Sequence, residues 1–296
     1  MLDAAARIST VRDMLRYAVK IFDGAGLCYG HGTHHARDEA AYLILHALRL
    51  PPDRLNPFLD RTLSEKEKQT IFKLLRQRTH KKIPAAYLTR EAWLGDFRFY
   101  VDKRAIVPRS FIAELLREKL APWIKRPQQI KTALDLCTGS GCLAILLAHA
   151  FPQAAIDASD VSAEALRVAR RNINAYHLKN RIRLIKSDLF ETLRGQRYDL
   201  MVANPPYVNA RSMRALPEEY RHEPRVALAG GKDGLHLVRR IIRAAAEYLN
   251  TNGLLLVEIG HNRKALESAF PKLEFTWPTI SAGDEFVFLL KYDQLT

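Results

Sequence analysis

The 296-residue chain is 48% hydrophobic and 26% charged, the balance of a globular protein. It has no apolar run long enough to span a membrane. Residues 1–7 lack the basic-then-apolar order of a secretory signal peptide. Because no targeting segment is evident, we expect a cytoplasmic protein. The three cysteines, Cys28, Cys137 and Cys142, are an odd number without Cys-x-x-Cys spacing, which argues against a disulfide framework and a zinc site, so we expect no metal. The net charge of +14 leaves two interpretations open: a basic, solvated surface, or a partner that is RNA, DNA or a ribonucleoprotein.

Residues 1–82 are predicted to form a small helical domain. Apolar residues recur at helical spacing in Thr10–Phe22, His35–Leu50 and Ser64–Thr79, and the last of these opens with the capping box Ser64-Glu65-Lys66-Glu67. We assign the histidines of this region to a loop and a helix edge, because too few carboxylates and no cysteine stand at metal-ligand spacing. These histidines are His31, His34, His35 and His46.

Basic residues are concentrated at two places along the chain. One group is Lys73, Arg76, Arg78, Lys81 and Lys82, and the other is Arg167, Arg170, Arg171, Lys179, Arg181, Arg183 and Lys186. The sequence leaves open whether either group shares one face of the protein, so both interpretations of the charge stand.

Residues 83–109 are predicted to be a β-hairpin linker. Aromatic and β-branched residues surround a Gly-Asp pair in residues 93–101, which is typical of a short hairpin. The segment Ile106-Val107-Pro108-Arg109-Ser110 then leads to a predicted helix, Ala113–Leu120.

From about residue 130 onward, strands alternate with helices. The predicted strands are Thr132–Cys137, Ala155–Ser159, Ile182–Lys186, Asp199–Ala203, Leu254–Ile259, Glu274–Ile280 and Glu285–Leu290. The predicted helices are Cys142–Phe151, Ala163–Tyr176, Leu235–Leu249 and Arg263–Phe270. This alternation predicts an α/β fold with a doubly wound, mostly parallel sheet, and the last two strands suit an antiparallel hairpin at its edge.

The first of these strands ends in a glycine-containing loop, Asp135-Leu136-Cys137-Thr138-Gly139-Ser140-Gly141-Cys142. Glycines let the backbone pass close to a ligand before the next helix begins, and the N–H groups of that helix suit an anionic group. The spacing matches neither Gly-x-Gly-x-x-Gly nor a P-loop, so a dinucleotide or nucleotide-phosphate site is less favoured. We interpret Cys137 and Cys142 as small buried fillers and not as nucleophiles.

The next three strands also end in polar residues. Asp160 follows the second strand, where a carboxylate can accept hydrogen bonds from both hydroxyls of a ribose. Asp188-Leu189-Phe190 follows the third and offers a carboxylate to an exocyclic amine and apolar groups to an adenine ring. The fourth ends in Asn204-Pro205-Pro206-Tyr207, a loop stiffened by two prolines. Each of these residues alone could be a helix cap or a turn residue. Their occurrence at the ends of successive strands instead predicts that they form one binding site.

Residues 132–292 resemble the class I S-adenosylmethionine-dependent methyltransferases, which have a Rossmann-like sheet, and the Asn-Pro-Pro-Tyr loop resembles that of enzymes that methylate planar nitrogens. With the helical region, the hairpin and Val107-Pro108-Arg109-Ser110, the whole chain resembles the HemK family of protein-glutamine N5-methyltransferases. Residues 106–115 and 221–228 are similar to its branch that acts on large-subunit ribosomal protein L three. Ser110-Phe111 departs from the Pro-Arg-Pro pattern of its release-factor branch.

This resemblance implies S-adenosylmethionine as the methyl donor and S-adenosylhomocysteine as the product. The implied cofactor-binding residues are Asp135, Cys137, Thr138, Gly139, Ser140, Gly141, Asp160, Asp188, Leu189, Phe190 and Asn204; the implied catalytic residues are Asn204, Pro205, Pro206 and Tyr207. Asn204 Oδ1 and the Pro205 carbonyl would accept the two N–H bonds of a glutamine amide, while Tyr207 would lie against the amide plane. A role near the methyl donor is also implied for Pro108 and Arg109.

The implied substrate is ribosomal protein L three or a ribosomal assembly intermediate that contains it, with contact to rRNA and none to a membrane. Residues 1–82 would recognise the substrate, and residues 110–296 would form the methyltransferase domain. Three alternatives remain: glutamine methylation of release factors, adenine-N6 methylation of nucleic acid, and a ribosome-binding module without catalytic activity. The sequence leaves the modified glutamine and the oligomeric state open.

Overall fold

The structure, a computed structural model, describes residues 8–296; residues 1–7, in which a secretory signal was sought, lie outside the described residues. The chain divides into two compact units, one that extends to Ala92 and includes Pro217–His222, and one that comprises Trp93–Leu216 and Glu223–Thr296. This division differs from the predicted boundaries at residues 82 and 109. The first unit continues past residue 82 because the Tyr42 hydroxyl hydrogen bonds with the Thr89 hydroxyl and donates to the Glu91 carbonyl.

The helices of the first unit confirm the three that the sequence predicts. They are α1 (Val11–Gly24), α2 (Ala36–Ala47), α3 (Glu65–Lys81) and the short α4 (Ala85–Thr89). The predicted capping box begins α3, because the Ser64 hydroxyl accepts from the Glu67 N–H and the Glu67 carboxylate accepts from the Ser64 N–H. His35 is the N-cap of α2, where its Nδ1 accepts from the Asp38 N–H at 3.3 Å.

Arg78 corrects the prediction of a basic cluster on α3. Its side chain is fully buried in the first unit and donates to Glu39 at 2.5 Å, to Glu219 at 3.0 Å and to the Cys28 carbonyl at 2.9 Å. A buried guanidinium needs such partners because desolvation would otherwise make its charge very costly. Arg78 therefore contributes to the interior of this unit and not to a basic surface.

The second unit begins within a two-stranded sheet and continues into a six-stranded one. The first sheet is the predicted hairpin, β1 (Glu91–Leu94) and β2 (Phe97–Tyr100). The second is formed by β3 (Thr132–Leu136), β4 (Ala155–Asp160), β5 (Ile182–Lys186), β6 (Tyr198–Ala203), β7 (Leu249–Glu258) and β8 (Val287–Lys291). Its order is β5-β4-β3-β6-β7-β8, parallel except for the antiparallel pair of β7 and β8. The doubly wound, mostly parallel sheet is thus confirmed, and its antiparallel edge is the pair of β7 and β8 and not a hairpin of the last two predicted strands.

The helices of the second unit lie between these strands in sequence, except for the last one, which follows β8. They are α5 (Ile112–Arg117), α6 (Cys142–Ala150), α7 (Ala163–Ala175), α8 (Ala210–Ala215), α9 (His236–Tyr248), α10 (Arg263–Ala269) and α11 (Tyr292–Leu295). Within residues 8–296, no helix combines the length and the apolar character that crossing a membrane requires.

The predicted strand Glu274–Ile280 is wrong. Only Thr276 bridges Leu289 of β8, through backbone hydrogen bonds of 3.1 and 2.8 Å, and Ile280 forms a separate bridge with Gly283. Pro278 lies between the two bridges and has no N–H to donate, so a continuous ladder cannot form there.

Alternate residues along the strands enter two hydrophobic clusters, as expected for a sheet covered on both faces. In β6, Leu200 and Val202 belong to the cluster that contains α6, whereas Met201 and Ala203 belong to the cluster that contains α9. The strand order reverses at β3, whose neighbours are β4 and β6. In open α/β sheets, ligands bind outside the carboxyl ends of the strands at such a switch point. We therefore expect a binding site at the loops after β3 and β6.

Candidate functional site

The loop after β3 owes its shape to three residues with positive φ. Cys137, Gly139 and Gly141 have φ values of +59°, +54° and +80°. A Cβ at Gly141 would lie 3.0 Å from the Ala169 Cβ of α7, so only glycine allows α6 and α7 to approach this closely. The loop is also held by Asn172, which the sequence analysis missed; its buried amide donates to the Ser140 carbonyl at 2.9 Å.

Asp135 lies fully buried at the end of β3, below this loop. Its Oδ2 accepts from the Thr138 hydroxyl at 2.5 Å and from the Ala144 N–H at 3.0 Å, while its Oδ1 has no hydrogen-bond partner among the described residues. Burial raises the pKa of this carboxyl from 3.8 to about 7. An unpartnered buried acceptor of this kind favours a donor or a cation as its ligand.

Asp160, at the end of β4, contacts the same loop. Its Oδ2 accepts from the Gly139 N–H at 2.9 Å, and its Oδ1 accepts from the Ser162 N–H at 2.8 Å. Burial raises the pKa of the carboxyl, and these two backbone donors oppose that rise. Each oxygen keeps a second lone pair, so the carboxylate can also accept two hydroxyl groups. The structure therefore brings together two of the predicted strand-end features.

The residues after β5 are engaged differently from the prediction. Asp188 accepts from Nη1 of Arg240 at 2.9 and 3.2 Å, a partner that lies on α9 and that the sequence analysis missed. Leu189 and Phe190 are buried, and the Phe190 ring stacks on Tyr248 with the two centroids 4.3 Å apart. Phe190 is thus a core residue in this structure, while Asp188 is half-exposed.

The loop after β6 begins with Asn204, whose amide has a defined orientation. Its Nδ2 donates to the Arg109 carbonyl at 3.2 Å. Because the NH₂ group is used in this way, the acceptor Oδ1 is the end of the amide that remains for a ligand. Pro205 and Pro206, which follow, are buried and have fixed φ, so the loop is stiff.

Tyr207 is seated on the segment that follows β7. Its hydroxyl donates to Oε1 of Glu258 at 3.1 Å, and its carbonyl accepts from Nδ2 of Asn262 at 3.0 Å. A Cβ at Gly260 would lie only 2.8 Å from the Tyr207 Cε2, so the ring rests directly on the backbone of this glycine. Tyr207 is therefore held at its hydroxyl, at one face of its ring and at its backbone carbonyl.

Glu258 is the principal residue that the sequence analysis missed. It lies at the end of β7, only 2% exposed, and its Oε2 accepts from the Ser110 hydroxyl at 2.6 Å and from the Phe111 N–H at 2.9 Å. Burial raises the pKa of its carboxyl, and the hydrogen bonds from Ser110, Tyr207 and Phe111 oppose that rise. The available signal was a carboxylate directly after the apolar run of residues 254–257, because a buried charge requires partners.

A second buried carboxylate, Glu223, holds the segment before α5. It accepts from both terminal nitrogens of Arg109 and, at 3.0 Å, from the Val107 N–H. Arg109 is therefore fixed on both sides, through its guanidinium by Glu223 and through its carbonyl by Asn204.

The two cysteines near the glycine loop have protonated thiols. Burial raises the pKa of Cys142 to about 12 and raises the pKa of Cys137 well above its usual range. A neutral thiol is a poor nucleophile, which supports the interpretation that neither residue is a nucleophile. Cys142 is buried, as expected of a filler, whereas Cys137 is only half-buried.

Two family models match successive parts of the chain. Residues 13–89 match the PrmC N-terminal domain, and residues 113–219 match the Methyltransferase small domain.

Relatives from three bacteria match nearly the whole chain. The ribosomal protein uL3 glutamine methyltransferase of Neisseria meningitidis serogroup A is 58% identical over 99% of this chain and 96% of that protein. The protein of the same name from Bordetella pertussis is 54% identical over 97% of each chain. That from Burkholderia pseudomallei is 51% identical over 100% of this chain and 98% of the relative.

Among solved structures, the catalytic domain of hMettl16 in complex with hairpin 6 of the MAT2A 3'UTR has a similar fold. The alignment has a TM-score of 0.50 and 15% identity, and it covers 80% of this chain and 85% of that chain. At this identity the likeness concerns the fold alone.

Proposed function

The chain belongs to the HemK family of protein-glutamine methyltransferases, in the branch of the uL3 enzymes, and from this membership we propose its reaction. It transfers a methyl group from S-adenosylmethionine to the side-chain amide nitrogen, N5, of a glutamine in ribosomal protein uL3, the large-subunit protein L three. The relatives that carry this name cover the chain from end to end, so both the helical and the α/β regions support the assignment.

The orientation of Asn204 is the observation that supports this chemistry best. A glutamine amide presents two N–H donors, and its nitrogen lone pair is delocalised into the carbonyl, which makes the nitrogen a poor nucleophile. With Nδ2 bound to Arg109, Asn204 offers Oδ1 as an acceptor beside the Pro205 carbonyl. If each of these acceptors accepts a hydrogen bond from one N–H group of the amide, together they orient the nitrogen and stabilise the positive charge that develops on it.

The stiffness of the loop makes these acceptors effective. Pro205 and Pro206 cannot change φ, so the acceptors need not reorganise when the amide arrives. Tyr207, confined by Glu258 and Gly260, lies against the plane of the amide. The methylated nitrogen then loses one proton to solvent and becomes a neutral secondary amide, so no side chain is needed as a general base.

The residues after β3 and β4 fit the methyl donor. When bound, S-adenosylmethionine supplies an electrophilic methyl group on a sulfonium. The unpartnered Oδ1 of Asp135 suits the ammonium group in the methionine part of the donor. The backbone of Cys137–Gly141 would hold the same part of the donor. Asp160 retains lone pairs for the ribose hydroxyls, and Asp188 retains them for the adenine amine although Arg240 is bound to it.

The remaining features of the proposal concern the partner. Helical residues 1–82 recognise the substrate, and the protein acts in the cytoplasm on uL3 or on an assembly intermediate that contains it. The net charge of +14 favours contact with rRNA. Part of the second basic cluster is already engaged: Arg183 pairs with Asp157, and Arg181 donates to backbone carbonyls at the end of α6.

Neither enzymatic alternative has comparable support. A glutamine of a release factor and the N6 amino group of adenine have the same planar NH₂ group as a glutamine of uL3. However, the relatives at 51–58% identity carry the uL3 name.

A transfer assay with labelled donor tests the proposal. Purified enzyme is incubated with S-adenosylmethionine labelled in the methyl group and with uL3, a release factor or rRNA in separate reactions. We expect label in uL3, at a glutamine identified by tandem mass spectrometry. Label in the release factor or in RNA, and none in uL3, would contradict the assignment.

A further inference from the structure

Glu258 joins two segments that are far apart in sequence and meet at the proposed site. Its Oε1 accepts from the Tyr207 hydroxyl, and its Oε2 accepts from the Ser110 hydroxyl and the Phe111 N–H. All three partners are donors, and the side chain is almost completely buried. A buried carboxylate with three donors is well satisfied, whereas any neutral replacement leaves at least one of them without an equivalent acceptor.

The same two segments are joined a second time. Asn204 donates to the Arg109 carbonyl, one residue before Ser110, and Tyr207 follows Asn204 by three residues. The turn at residues 109–111 is thus attached to both ends of the Asn204–Tyr207 loop, once directly and once through Glu258. Displacing this turn would shift the acceptor and the aromatic ring together.

We propose that Glu258 is a positioning residue, which holds Tyr207 and the 109–111 turn in the single arrangement that presents the Asn204 acceptor and the Tyr207 ring to the substrate amide. The inference rests on the proposed function, in which this loop binds the glutamine. Glu258 acts through Tyr207 and Ser110 and does not touch the substrate. Its effect is therefore mainly on the geometry of transfer and little on binding of the methyl donor, most of whose proposed contacts follow β3, β4 and β5.

Glu258→Gln tests this role because it preserves size and replaces one acceptor oxygen with a donor. We expect kcat to fall about 10-fold or more, since a small misplacement of the reacting groups has an effect of this size or larger. The KM for S-adenosylmethionine should stay within about 2-fold. Glu114→Gln is the matched control, because Glu114 also accepts from a serine hydroxyl and a backbone N–H, those of Ser281. Its kcat should remain that of the wild type.

Tyr207→Phe removes the hydroxyl that donates to Glu258, and so breaks the Tyr207–Glu258 hydrogen bond from the other residue. If Glu258 acts through Tyr207, the double variant Glu258→Gln/Tyr207→Phe should be little slower than the slower single variant. Additive losses in kcat, or a folded Glu258→Gln enzyme with wild-type kcat, would overturn the proposal. Should Glu258→Gln fail to fold, Ser110→Ala and Tyr207→Phe remove its two hydroxyl donors, and wild-type kcat in both would overturn it as well.

Urea unfolding of the two single variants and the double variant tests the contact without any substrate. Non-additive changes in the unfolding midpoint support the contact, and additive changes contradict it. An enzyme that methylates no uL3 but shows this coupling would contradict the proposed substrate and leave the positioning of Tyr207 supported.

Discussion

Arg109 and Glu223 are joined by two parallel hydrogen bonds, from Nη1 to Oε1 at 2.6 Å and from Nη2 to Oε2 at 2.7 Å. The Glu223 side chain is completely buried, and that of Arg109 is 27% exposed. The two residues lie in the stretches 106–115 and 221–228, which resemble the branch that acts on ribosomal protein L three. Their similarity to that branch therefore has a physical counterpart: the two stretches form one contact next to Asn204.

Removing Glu223 should destabilise the protein and slow methyl transfer. Glu223→Ala leaves Arg109 without its carboxylate and leaves the Val107 N–H unsatisfied, at a cost of about 2–4 kcal/mol of unfolding free energy. Urea unfolding measures this loss, and Glu218→Ala, at an exposed glutamate five positions earlier in the chain, is the control, expected to change stability by less than about 0.5 kcal/mol. Equal losses in the two variants would show that the Arg109–Glu223 pair contributes nothing.

Asn204→Ala should abolish methyl transfer without preventing cofactor binding. The change removes the acceptor for the substrate amide, so kcat should fall by at least about 100-fold, as when an electrostatic stabiliser is lost. The Kd for S-adenosylmethionine, measured by calorimetry, should rise by no more than about 3-fold, since the cofactor's other proposed contacts remain. Asn209→Ala, which removes the N-cap of α8, is the control and should retain activity. An active Asn204→Ala enzyme would refute the proposed clamp.

The buried Asp135 should make stability depend on pH in a defined direction. Burial raises its pKa from 3.8 in the unfolded chain to about 7 in the folded protein, so the unfolded chain ionises first. The contribution of Asp135 to stability is therefore complete below about pH 4 and is lost as the pH rises toward about 7. Relative to Asp135→Asn, the wild type should lose about 2 kcal/mol between about pH 5 and about pH 7, as measured by urea unfolding. A difference that is constant with pH would contradict the raised pKa.

The two glycines of the loop should respond differently to alanine. Gly141→Ala introduces a Cβ 3.0 Å from the Ala169 Cβ in addition to an unfavourable φ, whereas the nearest atom to a Cβ at Gly139 is 3.7 Å away. Gly139→Ala therefore incurs mainly the backbone cost, about 1 kcal/mol, and Gly141→Ala should cost about 1–2 kcal/mol more. Thermal unfolding of both variants without ligand checks the order. Equal Tm values would show that α6 and α7 can separate at no cost.

The sequence was sufficient to predict the sheet and the site loops because these depend on local patterns. Asn204-Pro205-Pro206-Tyr207 follows an apolar run and cannot continue a strand, so its place at a strand end follows from residues within a few positions. The glycine loop likewise precedes a helix, α6, in which every residue except His149 is apolar.

The residues that the sequence did not predict depend on distant partners. Ser110 and Glu258 are separated by 148 positions, and Arg78 and Glu219 by 141, so no local pattern records either contact. Arg78 stands among the exposed cations Arg76 and Lys81, which made it look like part of a surface cluster. For Glu274–Ile280 the apolar pattern suggested a strand, but pairing was decided by one proline.

The most direct test of the central claim is the intact mass of uL3 from cells that lack this protein, compared with uL3 and release factors from the parent strain. The account predicts that uL3 alone becomes lighter by one methyl group, and that expression of the wild-type chain, but not of Asn204→Ala, restores the mass. Unchanged uL3 together with a release factor lighter by one methyl group would contradict it.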